Sequence, residues 1–336
     1  MNRRNIGVGG VAGASSVTRG LQQAAGAAAV TAIAASFRGI TVVSAASDAV
    51  ETAELFDRTH ADRSLSPIDQ YIENTNALNR LYLGLDPMPS ELGSLVLLGY
   101  VSAVESFFRA LFRGLINIDD VSGRLAEPLA VPYGAALHLN KKMLPEAVIE
   151  EYSFASVANV KEAIRALGGI KGHIPVEVEA ALREFQKVCE MRHCCVHRFG
   201  KLGAKNAIKL GLERHREILE KPLKLDRDAL EQIGQALRGF VKIINNFVFS
   251  SLMERSVLNR GDGHLDAPYS TEWSWVWGAD KSRFVKYYFL FASNLDAVPS
   301  PPARSIYDSV RLFAEEGRVR SGRRSAGRSP AVNIAP

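Results

Sequence analysis

Between Ser90 and Leu115 the residues Leu92, Leu95, Val96, Val101, Val104, Phe107, Phe108, Leu111, Phe112 and Leu115 recur at separations of one and three positions, with one step of five after Val96. That spacing places them on one broad apolar stripe of a single helix. A stripe this long must be covered by other helices if the chain is to stay in water. Gly99, Ser102, Ala103 and Ser106 lie among the large side chains and leave room for a second helix backbone to approach. The feature therefore predicts a core built around one central helix. Beside the stripe, Glu105, Arg109 and Arg113 fall four residues apart along one side.

The surrounding sequence supplies partners of the same kind. Ser66 followed by Pro67 reads as a helix start, a capping hydroxyl with proline in the first turn. Tyr71, Ile72, Leu78, Leu81 and Tyr82 follow at helical spacing, before Gly84 and Pro87 end the run. Shorter helices fit 144–152 and 156–167. Pro175 opens a helix through Val178, Leu182, Phe185, Val188 and Cys189 that closes at Phe199 and Gly200, and 201–209 reads as a basic loop. A last long helix is predicted over 226–253, with Leu230, Ile233, Leu237, Phe240, Val241, Ile244, Phe247 and Val248 on its apolar face. No alternating strand pattern is sustained, so the expected class is all-α, or nearly so.

The two ends differ from this middle. Residues 1–50 are rich in glycine, alanine and serine, with Phe37 the one large aromatic, and are expected to be flexible because they bury too little to offset ordering entropy. Gly7 to Gly10 has neither a strand before it nor a helix signal after it, which argues against a phosphate loop. Residues 265–316 hold Trp273, Trp275, Trp277, Phe284, Tyr287, Tyr288, Phe289 and Phe291, expected to make a small aromatic module of their own. The alternating tryptophans admit a short strand, and a short helix fits 306–316. The tail 317–336 carries arginines and no acids and reads as disordered.

The composition narrows the setting. A formal charge of +5 over 336 residues suits a polyanionic partner without requiring one. The three cysteines, Cys189, Cys194 and Cys195, lie within seven residues of one another and do not read as a disulfide framework, so a reducing cytoplasm is the expected location. The apolar run from Ala24 to Ala35 is shorter than the roughly 20 residues that span a bilayer, so no membrane partner is expected.

The residues that carry chemistry are Arg192, His193, Cys194, Cys195, Val196 and His197, at the end of the helix that starts after Pro175. Arginine keeps its charge and holds phosphate oxygens with a planar fork. Histidine, with an ordinary pKa near 6.5, moves protons near neutrality. On a regular helix five residues turn through about 500°, so Arg192 and His197 point roughly 140° apart. Either the helix ends between them or a second copy completes the site. Arg198, Lys201, Lys205 and Lys209 follow and can guide a nucleic-acid backbone.

The run resembles the R-x4-H motif of the HEPN superfamily, helical domains found in RNA-targeting toxins and antiviral defence proteins. A polar residue follows the arginine (His193) and a basic, glycine-containing turn follows the histidine (198–201). The resemblance covers 66–256, with a long apolar helix on either side of the motif. It implies a metal-independent endoribonuclease with Arg192 and His197 as catalytic residues. His193, Glu105 and Arg109 would support them, and Arg198, Lys201 and Lys205 would bind RNA. It implies a homodimer with both motifs in one cleft, no cofactor, and an antitoxin or defence protein as a further partner.

Other readings stand beside this one. A non-catalytic helical module could use the same groove for RNA, a nucleotide or a partner protein. Arg192 could simply pair with Glu190 or Glu184 at a helix C-terminus. Cys189, His193, Cys194, Cys195 and His197 are potential zinc ligands, though without a second cluster or a CxxC knuckle. A cysteine and histidine nucleophile pair lacks a third orienting group. The aromatic residues of 273–291 could stack bases, and the arginine tail could add nonspecific RNA affinity.

Overall fold

The computed structural model describes residues 50–61, 63–258 and 273–326, with Leu258 and the last ten by backbone alone. The expectations for 1–49, for most of the 257–270 linker and for the end of the tail lie outside the described residues. The chain divides into two units, 1–63 and 64–336. In the first, a single 3-10 turn, Thr52–Leu55, is present among the described residues, with Leu55 and Phe56 exposed.

The second unit is helical, with no strand among its described residues, so the all-α expectation holds. Helix α1 is Pro67–Asn79, and Ser66 caps it by accepting from the Asp69 N–H at 3.2 Å. Helix α2 is Ser90–Ile118, the apolar stripe, with Val96, Leu97, Val104, Phe108, Leu111, Phe112 and Leu115 all fully buried. It is the one helix among the described residues long and apolar enough to cross a membrane, and most of its apolar surface is packed inside the protein. Short helices α3 (Asp120–Ala126), α4 (Tyr133–His138), α5 (Leu144–Ile149) and α6 (Val157–Ala166) follow. Helices α7 (Val176–Arg198), α8 (Ala204–His215), α9 (Arg227–Leu258), α10 (Trp277–Phe291) and α11 (Ala303–Ala326) complete the order.

Helix α2 lies at the centre, packed by α1, α7, α9 and α10. Gly99 lets Leu78 of α1 lie against the α2 backbone; a Cβ there would sit 2.7 Å from a Leu78 methyl. Phe108 stacks on Phe154 at 5.3 Å, and Phe185 of α7 stacks on Phe240 of α9 at 4.3 Å. Offset stacks of this kind add about 1 kcal/mol each beyond the area they bury.

Three expectations are corrected. The aromatic segment does not stand apart, because Trp273, Phe284, Tyr287, Phe291 and Tyr307 belong to the same core as α2. Nor do its tryptophans form a strand. Trp275 is left-handed at φ 60°, and the Asp280 carboxylate accepts from the Ser274 and Trp275 N–H groups, folding the segment into the turn that starts α10. Helix α11 continues to Ala326, inside the tail expected to be disordered.

Candidate functional site

Helix α7 begins after Pro175 and presents Val178, Leu182, Phe185, Val188 and Cys189 to the core. Arg192 lies three residues past Cys189 and four past Val188, so it continues this buried stripe to the point where the core stops. It is half-buried there, in a phase where the pattern calls for an apolar side chain. A guanidinium so placed costs desolvation unless something pairs with it. Among the described residues Arg192 makes no side-chain hydrogen bond or ion pair.

The two carboxylates nearest in sequence are taken by other residues. Glu190, almost wholly buried, accepts from Gln186 at 2.6 Å, Asn206 at 2.9 Å and Lys209 at 2.8 Å. Glu184 pairs with Lys187 at 2.7 Å. Pairing of Arg192 with Glu190 or Glu184 is therefore not what the structure contains.

Arg192 and His197 lie on one uninterrupted helix, since α7 runs to Arg198 without a break. Their side chains consequently diverge by roughly 140°. His197 is exposed and pairs by ring contact with His193, one turn earlier, with centroids 5.8 Å apart and planes at 69°. Burial holds the His193 imidazole below its ordinary pKa, and the positive charges of Arg192, Lys209 and His197 act in the same direction against the opposing carboxylate of Glu190. His193 is thereby kept in the neutral form, able to accept a proton.

The end of α7 is tightly tied. Phe199 caps it in the left-handed region, φ 52° and ψ 43°, and the Gly200 N–H donates to the Cys194 carbonyl at 3.0 Å. Leu202 and Leu223 donate to the carbonyls of Lys221 and Gly200, which pins the turn to 220–223. A left-handed backbone costs a non-glycine residue about 1 kcal/mol. The Phe199 ring recovers none of that by packing: at 89% exposure it is the most exposed large hydrophobic side chain among the described residues.

Of the other expected site residues, the structure brings some to the motif and others away from it. Among the described residues Glu105 and Arg109 make no hydrogen bond or ion pair with Arg192 or His197. The Glu105 carboxylate accepts from the Ala155 N–H at 3.2 Å, and Arg109 reaches Glu146 at 3.5 Å and the Tyr152 carbonyl at 3.3 Å, so both fasten α2 to the segment around α5. Arg198 is bound by Glu220 through a close ion pair, which reduces its availability to RNA. Lys201 and Lys205 are exposed and make no side-chain hydrogen bond or ion pair among the described residues.

The segment 201–209, expected as a loop, is mostly helix. Gly203 caps α8, and a kink at Gly211 with φ 102° interrupts it. Lys209 is not a free surface cation but the partner of buried Glu190. This knot of Gln186, Glu190, Asn206 and Lys209 fastens α8 beside the motif. Its α7 half was visible as an i, i+4 pair, whereas its α8 half depends on a long-range approach that no local pattern reports.

The cysteines are packing residues. Cys189 and Cys195 belong to the main core, and Cys194 joins Leu202 and Ala207 in a small cluster under α8. Burial pushes the Cys189 thiol up to about 12, and also raises those of Cys194 and Cys195. Thiols in that state are poor nucleophiles at neutral pH. Among the described residues no three His, Cys, Asp or Glu side chains are arranged to hold a metal ion.

No family model, curated protein or solved structure matches the chain.

Proposed function

We propose that the chain is a HEPN-like endoribonuclease that cleaves RNA as a homodimer, within a toxin or antiviral defence system. The observation that carries this reading is Arg192, a half-buried guanidinium without a hydrogen bond or ion pair among the described residues, one helix segment from an exposed, ring-paired histidine. A cation left in that state suits an anion from outside, and a planar fork suits phosphate.

The chemistry follows from the substrate. The 2′-oxygen of RNA attacks the adjacent phosphorus while its proton passes to a neutral imidazole. The bond from phosphorus to the 5′-oxygen breaks, and a protonated imidazole supplies the proton that oxygen needs. The products are a 2′,3′-cyclic phosphate and a 5′-hydroxyl. His197 moves protons, and Arg192 stabilises the charge that develops on the non-bridging oxygens. His193, held neutral by burial, keeps the neighbouring ring from facing a second fixed positive charge.

Because one α7 directs Arg192 and His197 apart, a second copy bringing its own pair across a two-fold axis is the economical way to surround one phosphate. Lys201 and Lys205 supply further positive charge for the strand.

The test is incubation of the purified protein with total RNA in EDTA, beside a His197→Ala control. Cleavage with 2′,3′-cyclic ends, lost in the variant and in substrates that are 2′-deoxy at the cleavage position, is expected. Strict dependence on added Mg²⁺ or Mn²⁺, equal cleavage of DNA, or full activity in His197→Ala overturns the reading. Light scattering that shows a monomer at micromolar concentration overturns its dimeric part. RNA binding without cleavage would identify a non-catalytic module.

A further inference from the structure

Phe199 has no role in the chemistry above, and its placement is costly for folding. A chain that needed only to end α7 would carry glycine in the left-handed position, and glycine does follow at Gly200, itself at φ 87°. An aromatic ring stands at 199 instead, adopts the unfavourable backbone and packs on almost nothing. Its backbone is nevertheless held firmly by the Gly200 and Leu223 hydrogen bonds, so the ring projects from a fixed point two residues past His197.

The surroundings say what it can meet. Val196 is the one exposed apolar neighbour in sequence, and the other exposed residues beside it along the chain are His197, Arg198, which Glu220 pairs, and Lys201. A protein interface is favoured by contiguous apolar area. A lone exposed aromatic face on a basic segment of chain is instead the pattern of a base-stacking platform, where cations follow the backbone and the ring takes the base.

Resting on the ribonuclease reading above, we infer that Phe199 is a specificity-determining residue that stacks a nucleobase of single-stranded RNA beside the scissile phosphate. The stack fixes the register of the strand relative to His197. It also favours an unpaired nucleotide at the cleavage position, since a base within a duplex cannot offer its face.

The probe is a single-stranded RNA oligonucleotide containing 2-aminopurine, whose fluorescence is quenched on stacking. It is titrated into full-length His197→Ala protein, which binds without cutting, and into the same protein with Phe199→Leu or Phe199→Tyr added. Leucine keeps the apolar volume and loses the stacking face; tyrosine keeps the face. Phe199→Leu is expected to abolish the quench and weaken binding by about tenfold, in the range measured for one stacked base, while Phe199→Tyr preserves both. In the wild-type background Phe199→Leu is expected to lower kcat/KM on single strands and to reduce the preference for them over duplex.

Equal affinity and quench in Phe199→Leu overturns this inference and leaves the ribonuclease reading standing. Dissociation of Phe199→Leu into monomers by sedimentation also overturns it and assigns the ring to a contact between copies. Failure of the His197→Ala protein to bind RNA at all overturns both. Thermal unfolding separates these outcomes from misfolding, because a ring this exposed should leave the midpoint unchanged.

Discussion

Two arginines at helix ends show how differently this protein treats the same side chain. Arg255, in the last turn of α9, reaches both oxygens of the Asp119 carboxylate at 2.7 Å and the Gly168 carbonyl at 2.6 Å. Asp119 also accepts from the Tyr287 hydroxyl at 2.9 Å, so the whole group is satisfied within the fold. Arg192 is similarly withdrawn from water, yet the nearby carboxylates are committed to Lys187, Gln186, Asn206 and Lys209. The first arginine joins α9, α10 and the end of α2. The second joins no carboxylate or carbonyl among the described residues. The contrast is between a cation consumed by the fold and one that the described part of the fold leaves unpaired.

Removal of the satisfied arginine should have the largest effect. Arg255→Ala strands the Asp119 carboxylate, 5% exposed, with only neutral donors, and should cost about 3 kcal/mol in urea unfolding. A loss under 1 kcal/mol would show that the two arginines are not the contrasting pair described. Glu190→Gln is expected to cost less, about 1–2 kcal/mol, since the amide retains some of the hydrogen bonds but loses the charge facing Lys209. Hydrogen exchange should then show faster opening of α8 with the rest of the core unchanged.

The smallest expected effect is on pH. His193 has a folded pKa below its unfolded value, so the unfolded chain binds the extra proton first as pH falls. Its contribution to stability is therefore full well above about 6.5 and declines below that value. Comparison of wild type with His193→Gln between pH 7.5 and 5 should show the wild type losing slightly more. A wild type that gains stability on acidification relative to the variant would reverse the sign of the argument.

Much of the fold was legible from periodicity. The α2 stripe, the Ser66 cap and the α7 and α9 faces follow from apolar spacing and cap chemistry, and the structure contains them close to the expected bounds. What failed shares one physical origin. The tryptophan alternation resembled a strand because the pattern is local, whereas the Asp280 carboxylate that turns Ser274 and Trp275 lies several residues on. Helix α8 was obscured by Gly203 and Gly211, which mark its cap and its kink but read as loop. Glu105 and Arg109 have the spacing of a supporting pair, but their partners at 146–155 depend on long-range packing.

At the candidate site, sequence singled out Arg192 and His197 by what their side chains can do. It could not show that Arg192 lacks a partner among the described residues, because that depends on where Glu190 and Glu184 turn. It also named Phe199 only as a helix terminus, since exposure of a ring is a property of the folded surface.

The central claim is that Arg192 serves an external phosphate and not the fold. Arg192→Ala, measured for both urea unfolding and RNA cleavage, tests it most directly. The account predicts stability within about 0.5 kcal/mol of wild type, as for a side chain without internal partners. It predicts cleavage reduced about a hundredfold or more, as for a lost transition-state contact of a few kcal/mol. A variant that cleaves RNA like wild type, or one destabilised by several kcal/mol, would contradict it.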